Sequence, residues 1–123
     1  MTETSEATSA KPVEIRAPEG ALLLEIVWDN GTTSLYSHRV LRGFCPCAHC
    51  QGHQGPIQWV ATVESLGPKE LELSDVREVG AYALGLTFGD GHGSGIYTFR
   101  YLEQLGALYG ESVESMRGRS FER

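Results

Sequence analysis

The chain has 123 residues, the length of one domain with room for a single hydrophobic core. Its 16 acidic residues outnumber 10 basic ones, giving a net charge of −6; this excludes a general nucleic-acid binder or a basic membrane-surface helix, since both need a cationic face. Uninterrupted apolar runs such as residues 21–24 are far too short to span a bilayer.

Residues 1–10 are rich in Thr, Ser and Glu and hold no large apolar side chain beyond the initiator. They cannot bury enough area to offset their ordering entropy, so residues 1–12 are expected to be a disordered tail. The segment also lacks the basic start and apolar stretch of a secretory signal. Leu22, Leu24, Ile26 and Trp28 alternate with Leu23, Glu25, Val27 and Asp29, the period of a half-buried strand. Asp29-Asn30-Gly31-Thr32 then predicts a tight type I′ hairpin, with a return strand over residues 33–37 and a short helical piece over 38–43.

Beyond the cysteines, residues 51–56 read as a loop, residues 59–63 as a weak strand, and Gly67-Pro68 as a turn. Leu71 and Leu73 suggest another short strand. Residues 79–88 predict one long strand, with Tyr82, Leu84, Leu86 and Phe88 on one face and small residues on the other. Gly89-Asp90-Gly91-His92-Gly93 forms a turn, residues 95–98 return as a strand, and Thr98 caps a helix from Phe99 to about Tyr109, stopped by Gly110. Residues 111–123 are polar and read as a frayed helix or tail. No internal repeat is visible. The expected class is α+β, a small antiparallel sheet of hairpins with helices on one face and a metal knuckle, in a single domain over residues 13–110.

The segment Cys45-Pro46-Cys47-Ala48-His49-Cys50 carries the chemistry. Three cysteines within six positions make a poor disulfide framework. Without an export signal the expected compartment is a reducing cytoplasm, where clustered thiols hold metal or do redox chemistry. Zinc takes four ligands in a tetrahedron, so three sulfurs leave one position for a histidine or a water. His92 is the preferred fourth ligand, because Gly91 and Gly93 let the hairpin tip approach another loop without Cβ clashes. His53 competes on spacing alone. His49 is expected to point outward and His38 to be a strand-end or surface residue. Asp90 is a turn former or an acceptor behind the ligands.

Catalytic readings find less support. Pro46-Cys47-Ala48-His49-Cys50 matches half of the zinc deaminase signature, but the upstream residues His38-Arg39-Val40 lack the Glu that chemistry needs. A thioredoxin-like pair needs a βαβ context, and a cysteine nucleophile needs an oxyanion device; neither is visible.

Leu22 to Gly31, Leu41-Arg42-Gly43-Phe44-Cys45-Pro46-Cys47-Ala48-His49-Cys50, Val79 to Leu84, Asp90-Gly91-His92, and Gly95 to Phe99 with Leu102 follow one another in an order that resembles the gamma-butyrobetaine hydroxylase-like N-terminal domain family. The resemblance implies an α+β domain and a metal held by Cys45, Cys47, Cys50 and His92. In the hydroxylases such a domain precedes a large iron- and 2-oxoglutarate-dependent domain, for which the remaining residues here leave no room. A similar domain is appended to P-loop ATPases of iron–sulfur assembly, and this sequence has no P-loop. The expected function is therefore a non-catalytic accessory or interaction module with a structural ion, zinc first and iron or an iron–sulfur cluster second, and with a protein partner. A metal-handling carrier and a small zinc enzyme with an open site are the alternatives.

Overall fold

A computed structural model of the protein describes residues 10–52 and 55–122. The first half runs β1 (Pro12–Arg16), β2 (Leu23–Trp28), β3 (Thr33–Ser37), α1 (His38–Gly43) and α2 (Ala48–Gln51). A connecting stretch holds β4 (Ile57–Gln58), a 3-10 turn (Ala61–Ser65) and α3 (Pro68–Leu71). The second half runs β5 (Leu73–Val79), β6 (Ala83–Phe88), β7 (Gly95–Thr98) and α4 (Phe99–Leu105), then a 3-10 turn (Gly106–Leu108), α5 (Val113–Met116) and β8 (Ser120–Phe121). The strands form two three-stranded antiparallel sheets, β1-β2-β3 and β5-β6-β7, and a two-stranded ladder of β4 with β8. The class is α+β, as the alternating strand patterns and the short helical stripe require.

The two halves repeat one plan. Leu24 pairs with Tyr36 and Ile26 with Ser34 in the first; Leu84 pairs with Tyr97 and Leu86 with Gly95 in the second. Both first strands carry a register shift at the same place, between Pro12 and Glu14 and between Leu73 and Asp75. Ser37 caps α1 by accepting from the Val40 N–H, and Thr98 caps α4 by accepting from the Tyr101 N–H. The halves lock together through their tyrosines: Tyr36 Oη donates to the Leu102 carbonyl at 2.7 Å, and Tyr97 Oη donates to the Leu41 carbonyl at 2.5 Å. Trp28, Tyr36, Phe44, Phe88, Tyr97 and Leu102 are fully buried in the shared core. The sequence hides this duplication because only scattered residues, such as Gly31 and Gly91 or Leu41 and Leu102, are common to both copies.

The structure corrects several local expectations. In the first hairpin only Gly31 takes a positive φ, of 90°, while Asn30 does not. The Gly31 N–H donates to the Trp28 carbonyl and the Trp28 N–H to the Thr32 carbonyl, so the turn is type I closed by a glycine bulge rather than type I′. The single strand expected over residues 79–88 is a hairpin: β5 ends at Val79, and Gly80, at φ 56°, reverses the chain into β6. Apolar alternation ran through both arms and masked the bend. Residues 61–65 form a 3-10 turn, and Pro68 opens α3 instead of a plain turn, with Leu71 inside it.

At the N-terminus, residues 1–9 lie outside the described residues, but Ala10 is buried and Pro12 already pairs with Trp28. At the other end, residues 111–122 are folded and not a tail. Met116 is 2% exposed, and Phe121 packs edge-on against Phe44 and Tyr101. Two apolar anchors were enough to dock a stretch whose composition is polar.

Candidate metal centre

Cys45 follows α1, Cys47 caps α2, and Cys50 lies on α2. The Cys50 and Gln51 N–H groups both donate to the Cys47 carbonyl, which curls the knuckle into one turn. Gln51 then stitches that turn to its surroundings, donating from Nε2 to the Cys45 and Gln58 carbonyls and accepting the Gln58 N–H.

His92 comes from the β6–β7 hairpin, which is built like the β2–β3 hairpin. Gly91 has φ 87°, the Gly91 N–H donates to the Phe88 carbonyl, and the Phe88 N–H donates to the His92 carbonyl. The turn is seated on α3 by the Gly89 N–H, which donates to the Glu72 carbonyl at 2.7 Å. A β-carbon at Gly89 would stand 1.8 Å from the Lys69 carbonyl oxygen, so only glycine permits that seating. Asp90 Oδ1 accepts the His92 N–H at 2.9 Å, as Asn30 Oδ1 accepts the Thr32 N–H in the other half.

These elements bring the four residues together. His92 Nε2 lies 3.1 Å from Cys45 Sγ, 3.4 Å from Cys47 Sγ and 3.5 Å from Cys50 Sγ, and all four donor atoms lie within 4.8 Å of one another. Zinc–sulfur bonds of about 2.3 Å and a zinc–nitrogen bond of about 2.0 Å at tetrahedral angles put sulfur and nitrogen about 3.5 Å apart. The group therefore fits a tetrahedral cation with little movement. Burial, followed by the charge of Arg42, holds the His92 imidazole below its ordinary pKa, so near neutral pH the ring is uncharged and can offer a lone pair. Burial pushes the Cys45 thiol well up and the Cys50 thiol up. At Cys47 burial also acts upward, but hydrogen bonds involving Ser94 and Cys50 outweigh it and leave that thiol below its ordinary value. A bound cation would displace the thiol protons, which couples its affinity to pH.

The sequence argument did not single out Arg42, which ties the two contributing loops together. Its NH1 lies 3.6 Å from Cys50 Sγ, and its Nε and NH2 lie 3.3 and 3.2 Å from Asp90 Oδ2. Three thiolates around a divalent cation carry one net negative charge, which this guanidinium faces. Its signal was its place three residues before Cys45, on the last turn of a helix ending at the knuckle. Gly95 was also passed over: a β-carbon there would meet Cys45 Sγ at 2.7 Å. Asp90 is the expected turn former, and its other oxygen accepts from Arg42 rather than from a ligand side chain. His49 is exposed, its ring centroid 6.1 Å from that of His92, and His53 lies outside the described residues. His38, expected at a strand end or the surface, does follow the end of β3, but it is 2% exposed, because it opens α1 and turns inward beneath β5.

Fold and donor set define a small α+β domain with a three-cysteine, one-histidine group that can hold a metal ion. The chain belongs to the gamma-butyrobetaine hydroxylase-like N-terminal domain family, whose model matches residues 15–103. It is similar to a crystal structure, at 1.93 Å resolution, of a protein of unknown function of the DUF971 family from Acidithiobacillus ferrooxidans ATCC 23270. The two share 36% identity over 79% of this chain and 93% of that one, with a TM-score of 0.61. A protein solved by solution NMR matches at 28% identity and TM-score 0.68, over 94% of this chain and 82% of its own. A second NMR structure matches at 29% and 0.59, over 81% and 75%. No curated protein matches. Among the described residues no helix is long and apolar enough to cross a membrane.

Proposed function

We propose that the protein is a non-catalytic accessory module whose Cys45, Cys47, Cys50 and His92 hold one structural zinc ion. The observation that carries this reading is the placement of His92 Nε2 within 3.5 Å of all three sulfurs. Four protein donors saturate a tetrahedral ion and leave no position for substrate, which favours a structural over a hydrolytic site. Structural zinc contributes an apparent 10–16 kcal/mol in small peptides (~13 kcal/mol), comparable to the ~5–15 kcal/mol stability of a whole domain. The ion then decides whether the knuckle is ordered. The same donors also suit iron or an iron–sulfur cluster, and the Arg42 contact with Cys50 is of the kind that tunes such centres. The module is assigned to a reducing cytoplasm and to a protein partner.

Protein purified without air, assayed for metal and sulfide and examined by absorption, tests the reading. One zinc per chain in a colourless sample supports it; charge-transfer bands with bound sulfide transfer the site to iron. Cys47→Ala is expected to lose stoichiometric metal and melt at a sharply lower temperature, and unchanged metal content and melting would refute the assignment. His92→Ala that keeps its metal would reopen the site to water and revive the enzyme alternative.

A further inference from the structure

The duplicated plan offers its own comparison for the metal centre. Asp90 Oδ1 accepts the His92 N–H at 2.9 Å, and in the other half Asn30 Oδ1 accepts the Thr32 N–H at 3.0 Å. The turn needs only a side-chain oxygen at that position, which an uncharged amide supplies, so the charge of Asp90 answers to something else. Its Oδ2 lies 3.3 Å from Arg42 Nε and 3.2 Å from Arg42 NH2. Counting from the matched caps Ser37 and Thr98, the counterpart of Arg42 is Glu103. The arginine and the aspartate therefore occur together in the half that carries the sulfurs, and the matching positions of the other half hold neither.

The side chains of Arg42 and Asp90 are 13% and 20% exposed, and among the described residues no other ion pair has both members so far from solvent. A pair this desolvated is screened less than a surface one and holds its geometry better. The remaining nitrogen of the guanidinium, NH1, donates to Cys50 Sγ at 3.6 Å. One planar group thus joins an oxygen on the His92 turn to a sulfur on the knuckle. Asp90 balances the guanidinium charge, so Arg42 acts on Cys50 chiefly as a directed N–H donor.

We propose that Arg42 is the positioning residue of the metal centre: paired with Asp90 it holds the His92 turn against the knuckle, and through NH1 it draws electron density from the Cys50 thiolate. The proposal rests on the reading that the three cysteines and His92 hold one cation, and adds what fixes their spacing and tunes one of the sulfurs. Hydrogen bonds from outside the ligand set orient the ligands, and losing one typically costs about 10–100-fold in metal affinity. A thiolate relieved of such a bond also gives up electron density more readily, which lowers the energy of sulfur-to-metal charge transfer.

The probe is cobalt(II), titrated without air into the metal-free full chain and followed through its sulfur charge-transfer band. Arg42→Met, which keeps the length and loses every donor, should bind cobalt roughly tenfold or more weakly and move the band to longer wavelength. Arg42→Lys, which keeps the charge and the stem, serves if Arg42→Met does not fold: one ammonium cannot reach both partners as the guanidinium does, so binding should still weaken. Asp90→Asn keeps the acceptor for the His92 N–H, as Asn30 does in the other half, and should weaken binding by roughly fivefold or more. Added to Arg42→Met, it should cost nothing further. A folded Arg42→Met with the parent's affinity overturns the proposal. So does weaker binding with an unmoved band, which is what a merely structural arginine would give. Losses that simply add in the double variant also overturn it, because they separate Asp90 from Arg42. A parent chain that takes up no cobalt would instead sink the metal reading on which the proposal stands.

Discussion

Tyr36 and Tyr97 make the same hydrogen bond in opposite directions, each phenol reaching from the third strand of its own half to a carbonyl in the helix of the other. Each strand residue sits just before the cap of its own helix, so the half-to-half contact is fixed by the strand–helix junction. Burial raises both phenols above their ordinary pKa, so neither ionises in the working range. Tyr97→Phe takes from the buried Leu41 carbonyl its hydroxyl donor and is expected to cost about 1–3 kcal/mol, as read by urea unfolding. Tyr36→Phe is expected to cost less, because the Leu102 carbonyl keeps the Gly106 N–H; an equal or larger loss at Tyr36 would overturn that ranking.

Gly95→Ala places a methyl group 2.7 Å from Cys45 Sγ, a sulfur held in the core. The neighbour has no room to retreat, so overpacking of about 1–3 kcal/mol is expected. Because the atom displaced is a donor, the variant should also release metal to a chelator faster than the parent. Gly20→Ala, at a position with nothing within 4 Å, is the control for glycine replacement as such, although its φ of 79° adds backbone strain.

His38 Nδ1 accepts the Leu73 N–H at 3.3 Å, and its Nε2 has no partner among the described residues. Burial lowers its pKa from 6.5, opposed by the Leu23 backbone and by Glu72. Since the folded state disfavours the charged ring, the unfolded chain binds the proton more readily. Stability is therefore full above the unfolded value and falls as pH drops below about 6.5 towards the folded pKa. His38→Asn keeps a short acceptor for Leu73 but does not titrate, and should flatten that part of the stability-versus-pH curve measured by denaturant midpoints.

Glu64 accepts from Arg117 through both carboxylate oxygens and from Trp59 Nε1 at 2.7 Å. These bonds, Arg117 first, hold its pKa down from 4.5 to about 2. The stability it lends is present above the ordinary carboxylate value and is lost as pH falls through about 2. Acidification from pH 5 should loosen the contact between the 3-10 turn at Ala61–Ser65 and α5 before the core melts. Trp59 fluorescence changing ahead of far-ultraviolet circular dichroism would register it, and Glu64→Gln should abolish that early step.

What was legible in the sequence was local. The β2–β3 hairpin, α1, β7, the Thr98 cap and the cysteine knuckle each follow from alternation, a glycine turn or a cap within a few residues. His92 could be chosen because two glycines flanked it at a hairpin tip. The β5–β6 bend was missed because Gly80 turns the chain without interrupting the apolar alternation. The pairing of β1 with β2 and of β8 with β4 depends on partners far along the chain and on single anchors such as Phe121. Arg42 acts on the site through Asp90, 48 positions away, and no spacing rule reaches that far.

Thr32 stands in the first hairpin where His92 stands in the second, and Gly106 stands after α4 where Cys45 stands after α1. Of two matching corners, only one was furnished with donors. With an ion in place, that corner becomes a cross-link over 42 residues between Cys50 and His92. By the reasoning applied to disulfides, a closure of that length lowers denatured-chain entropy by an amount worth on the order of 4 kcal/mol. Severing the backbone near Gly67 would leave the sulfurs on one piece and the imidazole on the other, so that only the cation would bridge the seam through ligand bonds.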